Sequence, residues 1–319
     1  MSDLLAADFE RLFEGRRDAW GTVEGGQVKE PVTTAHFLRH LIEPGCSLGI
    51  YPLIQDAELA AAWEKRLGGP VGDNFVKWGC SDIDTKGDPE AAWPLALNLR
   101  RALEALNIPA WIERTKSKGW HVWVFACEWV PAVVMRRALL AAHQVAGVAA
   151  SEVNPKQTDV GRRVTYGNYV NLPYPAGWER TDRRVIVDEN RRAVKLHEFV
   201  DAALFYSVGF DTLHEAAKLY RPPERPPVVV DRRIELDEAL VRRLPGLAHR
   251  IFRDGPLPGR DRSGTLQRLA FLCAEAGFEP AETLAVVTDA DRRWGKFHGR
   301  PDGERHLHAI VTYAHERVQ

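Results

Sequence analysis

Cysteine is scarce in this chain: four residues (Cys46, Cys80, Cys127 and Cys273) in 319, widely spaced and without a Cys-x-x-Cys pair. That excludes a disulfide framework and a four-cysteine zinc module, and it predicts a protein of a reducing, cytoplasmic compartment. No run approaches the ~18 consecutive apolar residues of a membrane-spanning helix. The opening MSDLLAADFERLFEGRR turns from acidic to basic without the apolar centre of a signal peptide. Neither sign of charge is in excess, with Lys+Arg 43 against Asp+Glu 44, so overall charge decides nothing about a nucleic-acid partner. No G-x-x-x-x-G-K-[ST] string occurs, which excludes a P-loop and with it a helicase motor on this chain.

What is present is an ordinary globular composition, 45% apolar and 27% charged, over a length that suits two domains. The boundary is YRPPERPPVVVDRR, residues 220–233, where four prolines in six positions preclude helix and favour a stiff, extended linker. The predicted organisation is a catalytic domain over 1–222 with a helical extension over about 1–45, a linker over 223–235 and a helical domain over 236–319. In the first part LLAADFERLFEG reads as a helix closed by Gly15. TTAHFLRHLIEPG is a second, capped by Thr33 or Thr34, and DAELAAAWEKRLGG and DPEAAWPLALNLRRALEALNI are helices capped by Asp56 and Asp88. SLGIYPLI and FVKWGCSDIDT read as strands, PAWIERTKSKGWHVWVFA as two strands about a turn, and PAVVMRRALLAAHQVAG as a helix. SEVNPKQ and GNYVNLPY are extended or loop segments. The second part reads as helices near 236–253, 263–276, 280–292 and 303–317. The fold class is α+β, strands and helices mixed in the first domain and all-α in the second.

Three strings carry chemistry. In SDIDT, Asp82 and Asp84 share one face of a strand while Ile83 turns away. Two carboxylates so close repel unless one is protonated or a cation neutralises them. A hard divalent ion does this, and so does a solvated turn; on this string alone both readings stand. In ERTKSKGWHVWVF a turn with Lys116, Ser117 and Lys118 leads into a strand with His121, Trp123 and Phe125 on one face, an arrangement that can cradle phosphates. In SEVNPKQTDVGRRVTYGNYVNLPYP, Glu152 offers a third carboxylate, Lys156, Arg162 and Arg163 offer cations, and Gly167 and Asn168 precede a short strand ending at Pro173. Together they are the parts of nucleotidyl transfer, in which metal-held carboxylates and a basic turn position a triphosphate.

These strings resemble the signature of the archaeo-eukaryotic primase superfamily, an Asp-x-Asp strand end, a Ser-x-x-x-His or Ser-x-His element and a later acidic residue, here SDIDT, SKGWH and SEVNP. SKGWH is also similar to an element of the polymerase domains of bacterial end-joining ligases. The ordering is similar to primase-polymerases of phages, plasmids and TOTE-type conflict systems. The resemblance spans roughly residues 8–205, and the helical C-terminal part resembles the small domains that follow such cores in mobile-element primases. It implies an RNA-recognition-like core of mixed sheets with flanking helices. It implies ligation of two Mg²⁺ or Mn²⁺ ions by the catalytic Asp82, Asp84 and Glu152, with Asp159 as the substitute for Glu152. Nucleotide contacts fall to Ser117, Lys118 and His121, with Lys116, Lys156 and Asn168 beside them. The implied activity is a DNA-dependent primase-polymerase that makes primers on single-stranded DNA and extends them with NTPs or dNTPs. Unwinding would come from a separate helicase or from a C-terminal region beyond this sequence, and the expected setting is a bacterial cytoplasm, on a chromosome, phage or plasmid.

Basic residues of the second part, Arg262, Arg293, Lys296 and Arg300, are candidates for template phosphates, alongside Arg260, Arg268 and Arg292; a solvated helical face is the other reading. Trp294 and Phe297 either stack on bases or fill a core. His36, His40 and Cys46, or His298, His306 and His308, fall short of a zinc pattern, so no zinc is expected. The competing function is a replication initiator or a metal-dependent nuclease. His121 is followed by Val-Trp and not by a second histidine, against the histidine pair of a rolling-circle initiator.

Overall fold

The computed structural model describes residues 3–85, 88–117, 119–158, 166–222, 234–256 and 261–318. Lys118, Asp159, Arg162, Arg163, Arg260 and most of the proline-rich stretch lie outside the described residues. The chain divides into two units, Met1–Arg221 and Pro222–Gln319.

The first unit opens with α1 (Asp3–Leu12), the short strands β1 (Trp20–Gly21) and β2 (Gln27–Val28), α2 (Thr34–Ile42), β3 (Gly49–Ile50), β4 (Ile54–Gln55) and α3 (Ala57–Leu67). Its centre is β5 (Asn74–Ile83), α4 (Pro89–Ala105), β6 (Trp111–Arg114), β7 (Trp120–Pro131) and α5 (Ala132–Ala146). It ends with β8 (Glu152–Asn154), β9 (Val170–Asn171), α6 (Trp178–Thr181), β10 (Val185–Val187), α7 (Leu196–Phe205) and α8 (Phe210–Leu219). Six strands form the main sheet in the order β10-β6-β7-β5-β4, with β8 also on β5; a smaller sheet runs β2-β1-β3-β9. Every pairing between these strands is antiparallel, and a parallel bridge joins Ala126 to Val208. This is the α+β class expected.

Alternation along β5 sets the two faces of the main sheet. Ser81 and Ile83 point to one face. There the buried His143 of α5 donates from Nδ1 to the Val148 carbonyl at 3.1 Å and accepts from the Ser81 hydroxyl at 3.0 Å. Trp78, Cys80 and Asp82 point to the other. A wedge of rings covers the inner part of that face. Phe13, fully buried, meets Trp123 and Phe125 edge-on at centroid distances of 5.2 and 5.1 Å, and Trp78 at 6.4 Å.

The helix caps fall where expected at Asp56, whose carboxylate accepts from Glu58 N and Leu59 N, and at Asp88, which accepts from Glu90 N and Ala91 N. Thr33 is the N-cap of α2. Gly15 does not close α1, which ends at Leu12; a Cβ at Gly15 would overlap the Tyr51 carbonyl, so glycine serves close approach there. SLGIYPLI is two strands in different sheets, with Pro52 between them to remove a ladder donor.

The second unit is α9 (Glu238–Arg242), α10 (Gly246–Asp254), α11 (Arg262–Glu275), α12 (Pro280–Trp294) and α13 (Gly303–Val318) around its own apolar core. The helix expected over 236–253 is broken at Pro245, which caps α10. Among the described residues no helix is long and apolar enough to cross a membrane.

Because Phe13 joins α1 to three rings of the sheet, Phe13→Ala should cost about 3–5 kcal/mol, read as a lower urea midpoint with an unchanged slope. A loss below about 1 kcal/mol would show that the wedge does not hold α1 to the sheet.

Candidate functional site

Register brings the candidate residues together. Asp82 on β5 lies opposite His121 on β7 and, on its other side, opposite Glu152 on β8. His121 in turn lies opposite Glu113 on β6. Cross-strand partners share a face, so Glu152, Asp82, His121 and Glu113 form one row across four strands. Asp84, exposed, follows just beyond the end of β5 on the same side. A cavity of about 180 Å³ opens over this row, lined by Asp82, Asp84, Glu113, Ser117, Lys116 and His121, with Val23, Thr115, Gly119, Asn171 and Arg184 completing it. A larger hollow of about 770 Å³ lies elsewhere, behind Trp111 and Val187, with neither aspartate in its wall.

The turn before β7 is closed by Thr115. Its hydroxyl donates to the Gly119 carbonyl at 2.8 Å and accepts from Gly119 N at 3.1 Å. Arg183 donates to the Ser117 carbonyl at 3.0 Å, holding the turn from outside. Gly119 is pressed against the aspartates: a Cβ there would lie 2.9 Å from the Ile83 carbonyl oxygen and 3.2 Å from Asp82 Oδ1.

The electrostatics of the row are those of crowded carboxylates. Burial pushes the half-buried Asp82 carboxyl up; His121 pulls it down, but Glu152, Asp84 and Glu113 add to the rise, and the net is upward. Burial pushes His121 down, yet the charge and hydrogen bond of Glu113, with Asp82, carry it above the ordinary imidazole range against Arg184. One row inward, burial drives the Cys80 thiol well up, aided by Glu113, Asp82 and Glu152. The carboxylate of Asp82 makes no hydrogen bond or ion pair to another described residue, although Lys116, His121 and Arg184 line the same cavity.

The donor set of the aspartate pair suits a hard divalent cation: oxygen ligands only, two of them adjacent, with Lys116 and Arg184 elsewhere in the cavity wall. Among the described residues no three His, Cys, Asp or Glu side chains converge closely enough to form a complete cage. A divalent ion here would take only part of its shell from Asp82 and Asp84, an arrangement that suits completion by substrate phosphates and water. Glu152, neighbour to Asp82 in register, is 43% exposed and has Lys156 Nζ at 3.7 Å. Lys156 thus faces a carboxylate, and Asn168 accepts from Gln157 Nε2 at 3.3 Å; neither lines the cavity.

Two residues of the site escaped sequence reasoning. Glu113, 1% exposed, accepts through Oε2 from His121 Nδ1 at 2.9 Å and Trp123 Nε1 at 2.8 Å. Arg184, 7% exposed, donates to Ser47 Oγ at 2.6 Å and to the Leu172 carbonyl. Its own N–H donates to the Arg114 carbonyl at 2.6 Å, so it ties β10 and β6 to the smaller sheet. The signals were the acid opening ERTKSKGWH and the second arginine of TDRRVIV, neither distinctive by itself.

Elsewhere, His40 is buried with both ring nitrogens engaged: Nδ1 accepts from Leu48 N at 3.1 Å and Nε2 donates to the Pro173 carbonyl at 2.8 Å. Burial pushes its pKa down to about 3, so it serves the core and cannot ligate a metal with His36 and Cys46. In the second unit Arg262 donates to the carbonyls of Trp294 and Gly295, closing the end of α12. Arg293 pairs with Asp289 at 3.1 Å and lies over the Phe252 ring at 4.3 Å. Arg300 lies over the ring of the buried Phe297 at 5.8 Å, and Lys296 donates its backbone N–H to Asp291.

On one antiparallel sheet, then, paired aspartates at a strand end stand beside a turn with Lys116 and Ser117 and a strand-borne histidine. Residues 71–199 match the family model described as TOTE conflict system, Archaeo-Eukaryotic Primase domain. That match runs from β5 into α7, the span of all three signature strings. Among solved structures it is similar to the polymerase domain from Mycobacterium tuberculosis ligase D in complex with DNA, at 13% identity and a TM-score of 0.33, over 68% of this chain and 87% of that one. It is also similar to primase RepB', at 12% identity and a TM-score of 0.26, over 99% and 98% of the two chains. No curated protein matches the chain.

Two outcomes follow for Asp82. A carboxyl held above its unfolded value binds its proton more tightly in the folded state, so at pH above both values its charge destabilises the fold. Asp82→Asn should therefore raise Tm at neutral pH without divalent ions, and added Mn²⁺ should raise the Tm of the parent protein alone; a lower Tm in Asp82→Asn would contradict the crowding. Gly119→Ala should fold yet bind Mn²⁺ at least about tenfold more weakly, by titration with the ion, because its methyl group displaces Asp82. Unchanged affinity would show that the turn does not set the carboxylate.

Proposed function

We propose that this chain is a DNA-dependent primase-polymerase whose nucleotidyl transfer takes place over the row Glu152–Asp82–His121. The observation that carries the reading is that register, within the span that matches the primase family model, sets paired aspartates beside a histidine and a basic turn around one cavity. Asp82 and Asp84 would hold the divalent ions, Mg²⁺ or Mn²⁺, with Glu152 within reach on the adjoining strand. The ions supply charge neutralisation for the attacking hydroxyl and the phosphates. Ser117, Lys116 and His121 receive the triphosphate, and Lys118, next to Ser117 in sequence, is assigned with them. The basic and negative parts of the cavity lie side by side, so a triphosphate can lie on the turn with its α-phosphate toward the aspartates. The reaction then depends on positioning more than on covalent chemistry. A single-stranded template is the proposed partner, as DNA is for the ligase D polymerase domain, and the second unit, with Lys296 and Arg300, is the proposed accessory surface for priming.

The test is synthesis from labelled nucleotides with Mn²⁺ or Mg²⁺ on unprimed single-stranded DNA, beside a primed template. Product on both is expected, with Asp82→Ala and Asp84→Ala each lowering the rate by at least about 100-fold while the protein stays folded. Product on the primed template alone would leave a polymerase and remove the priming claim. Degraded DNA without product would favour a nuclease.

A further inference from the structure

Glu113 is a buried carboxylate in a place where the sheet would be content with an apolar side chain. Its neighbours include Ile186 opposite on β10 and Trp111 two residues earlier on its own strand. A buried charge of this kind is retained at a cost unless it is hydrogen-bonded and faced by opposite charge. Both conditions hold. Arg184 is close enough for mutual electrostatic attraction with Glu113, and Glu113 Oε2 receives two hydrogen bonds, from His121 Nδ1 at 2.9 Å and Trp123 Nε1 at 2.8 Å.

These two bonds fix more than the carboxylate. An indole N–H can only donate, so Trp123 anchors Oε2. A carboxylate can only accept, so the nitrogen of His121 that meets it must carry the proton. Nδ1 of His121 is therefore committed to Glu113, and Nε2, which makes no hydrogen bond to another described residue, is the ring atom left for the cavity that His121 lines.

We propose that Glu113 is a positioning residue, which holds the His121 ring by Nδ1 so that Nε2 meets a phosphate oxygen of the incoming nucleotide. The inference rests on the nucleotidyl-transfer reading above and adds to it the residue that orients the histidine. Glutamine in place of Glu113 keeps the size and can set one oxygen against both donors, as Oε2 does, but it removes the charge that strengthens the bond from Nδ1 and faces Arg184, so the hold on the ring is weakened.

The experiment measures affinity for a fluorescent deoxynucleoside triphosphate in the presence of Mn²⁺ for the parent protein, Glu113→Gln, His121→Ala and the double variant. Affinity for single-stranded DNA and thermal unfolding are followed in parallel. Glu113→Gln is expected to fold, to bind DNA as the parent does and to bind nucleotide about 10- to 100-fold more weakly, as loss of an orienting partner does at other histidine sites. Added to His121→Ala it should cause no further loss, because Glu113 acts through the ring. Unchanged nucleotide affinity in Glu113→Gln, or losses that add in the double variant, would overturn the proposal. Nitrogen-15 spectra of the parent protein labelled at histidine decide the hydrogen bond without any variant: His121 Nδ1 should carry its proton at neutral pH, and an unprotonated Nδ1 would overturn the proposal even if Glu113→Gln failed to fold. Parent protein that binds no nucleotide would instead overturn the nucleotidyl-transfer reading, and the substrate half of this proposal with it.

Discussion

The antiparallel register of β5 with β7 and β8 is the constraint on which the site depends. It places Asp82 between His121 and Glu152 and continues the row to Glu113. A slip of one residue in β5 would send Asp82 to the face where Ser81 now meets His143, and would bring Ile83 to the cavity. The opposite face resists such a slip, since Ile83 and Val122 are buried there and Ser81 is hydrogen-bonded. The arrangement brings like charges together on a half-buried surface, which a fold tolerates where a cation or substrate relieves the repulsion.

The rest of the first unit steadies that row. The rings of Phe13, Trp78, Trp123 and Phe125 fill the same face further inward, so the ionisable row stands at the rim of an apolar floor. Arg184 links three backbone segments around the site, and Gly119 lets the turn come close to Asp82 as no larger residue would. Rigid strands carry the carboxylates and histidine, while the turn at 115–119 carries the groups that would meet phosphate. That division suits a reaction governed by placement.

Much of this was legible in the residues. Period-two alternation was enough to put Asp82 and Asp84 on one side with Ile83 opposite, and to align His121 with Trp123 and Phe125. Local chemistry was enough for the caps at Thr33, Asp56 and Asp88. The primase family, read from SDIDT, SKGWH and SEVNP, is the one that residues 71–199 match. What escaped was set by tertiary pairing. Glu113 is unremarkable until β6 pairs with β7, and Arg184 looks like any surface arginine until the chain from β9 to β10 folds back over it. Lys156 was expected beside nucleotide, but its spacing from Glu152 gives it a carboxylate neighbour. The helices from α6 to α8 went unread in the sequence, although α8 buries one face through Phe210, Leu213, Ala216 and Ala217, and Pro245 divided a stretch whose apolar pattern ran through it.

The central claim is that the aspartate pair and the histidine-bearing turn form one nucleotide site. A crystal structure with Mn²⁺ and a non-hydrolysable nucleoside triphosphate tests it most directly. The account predicts anomalous manganese density between Asp82 and Asp84, with the triphosphate against Ser117 and His121 Nε2. Manganese bound away from both aspartates, or a nucleotide seated outside this cavity, would contradict it.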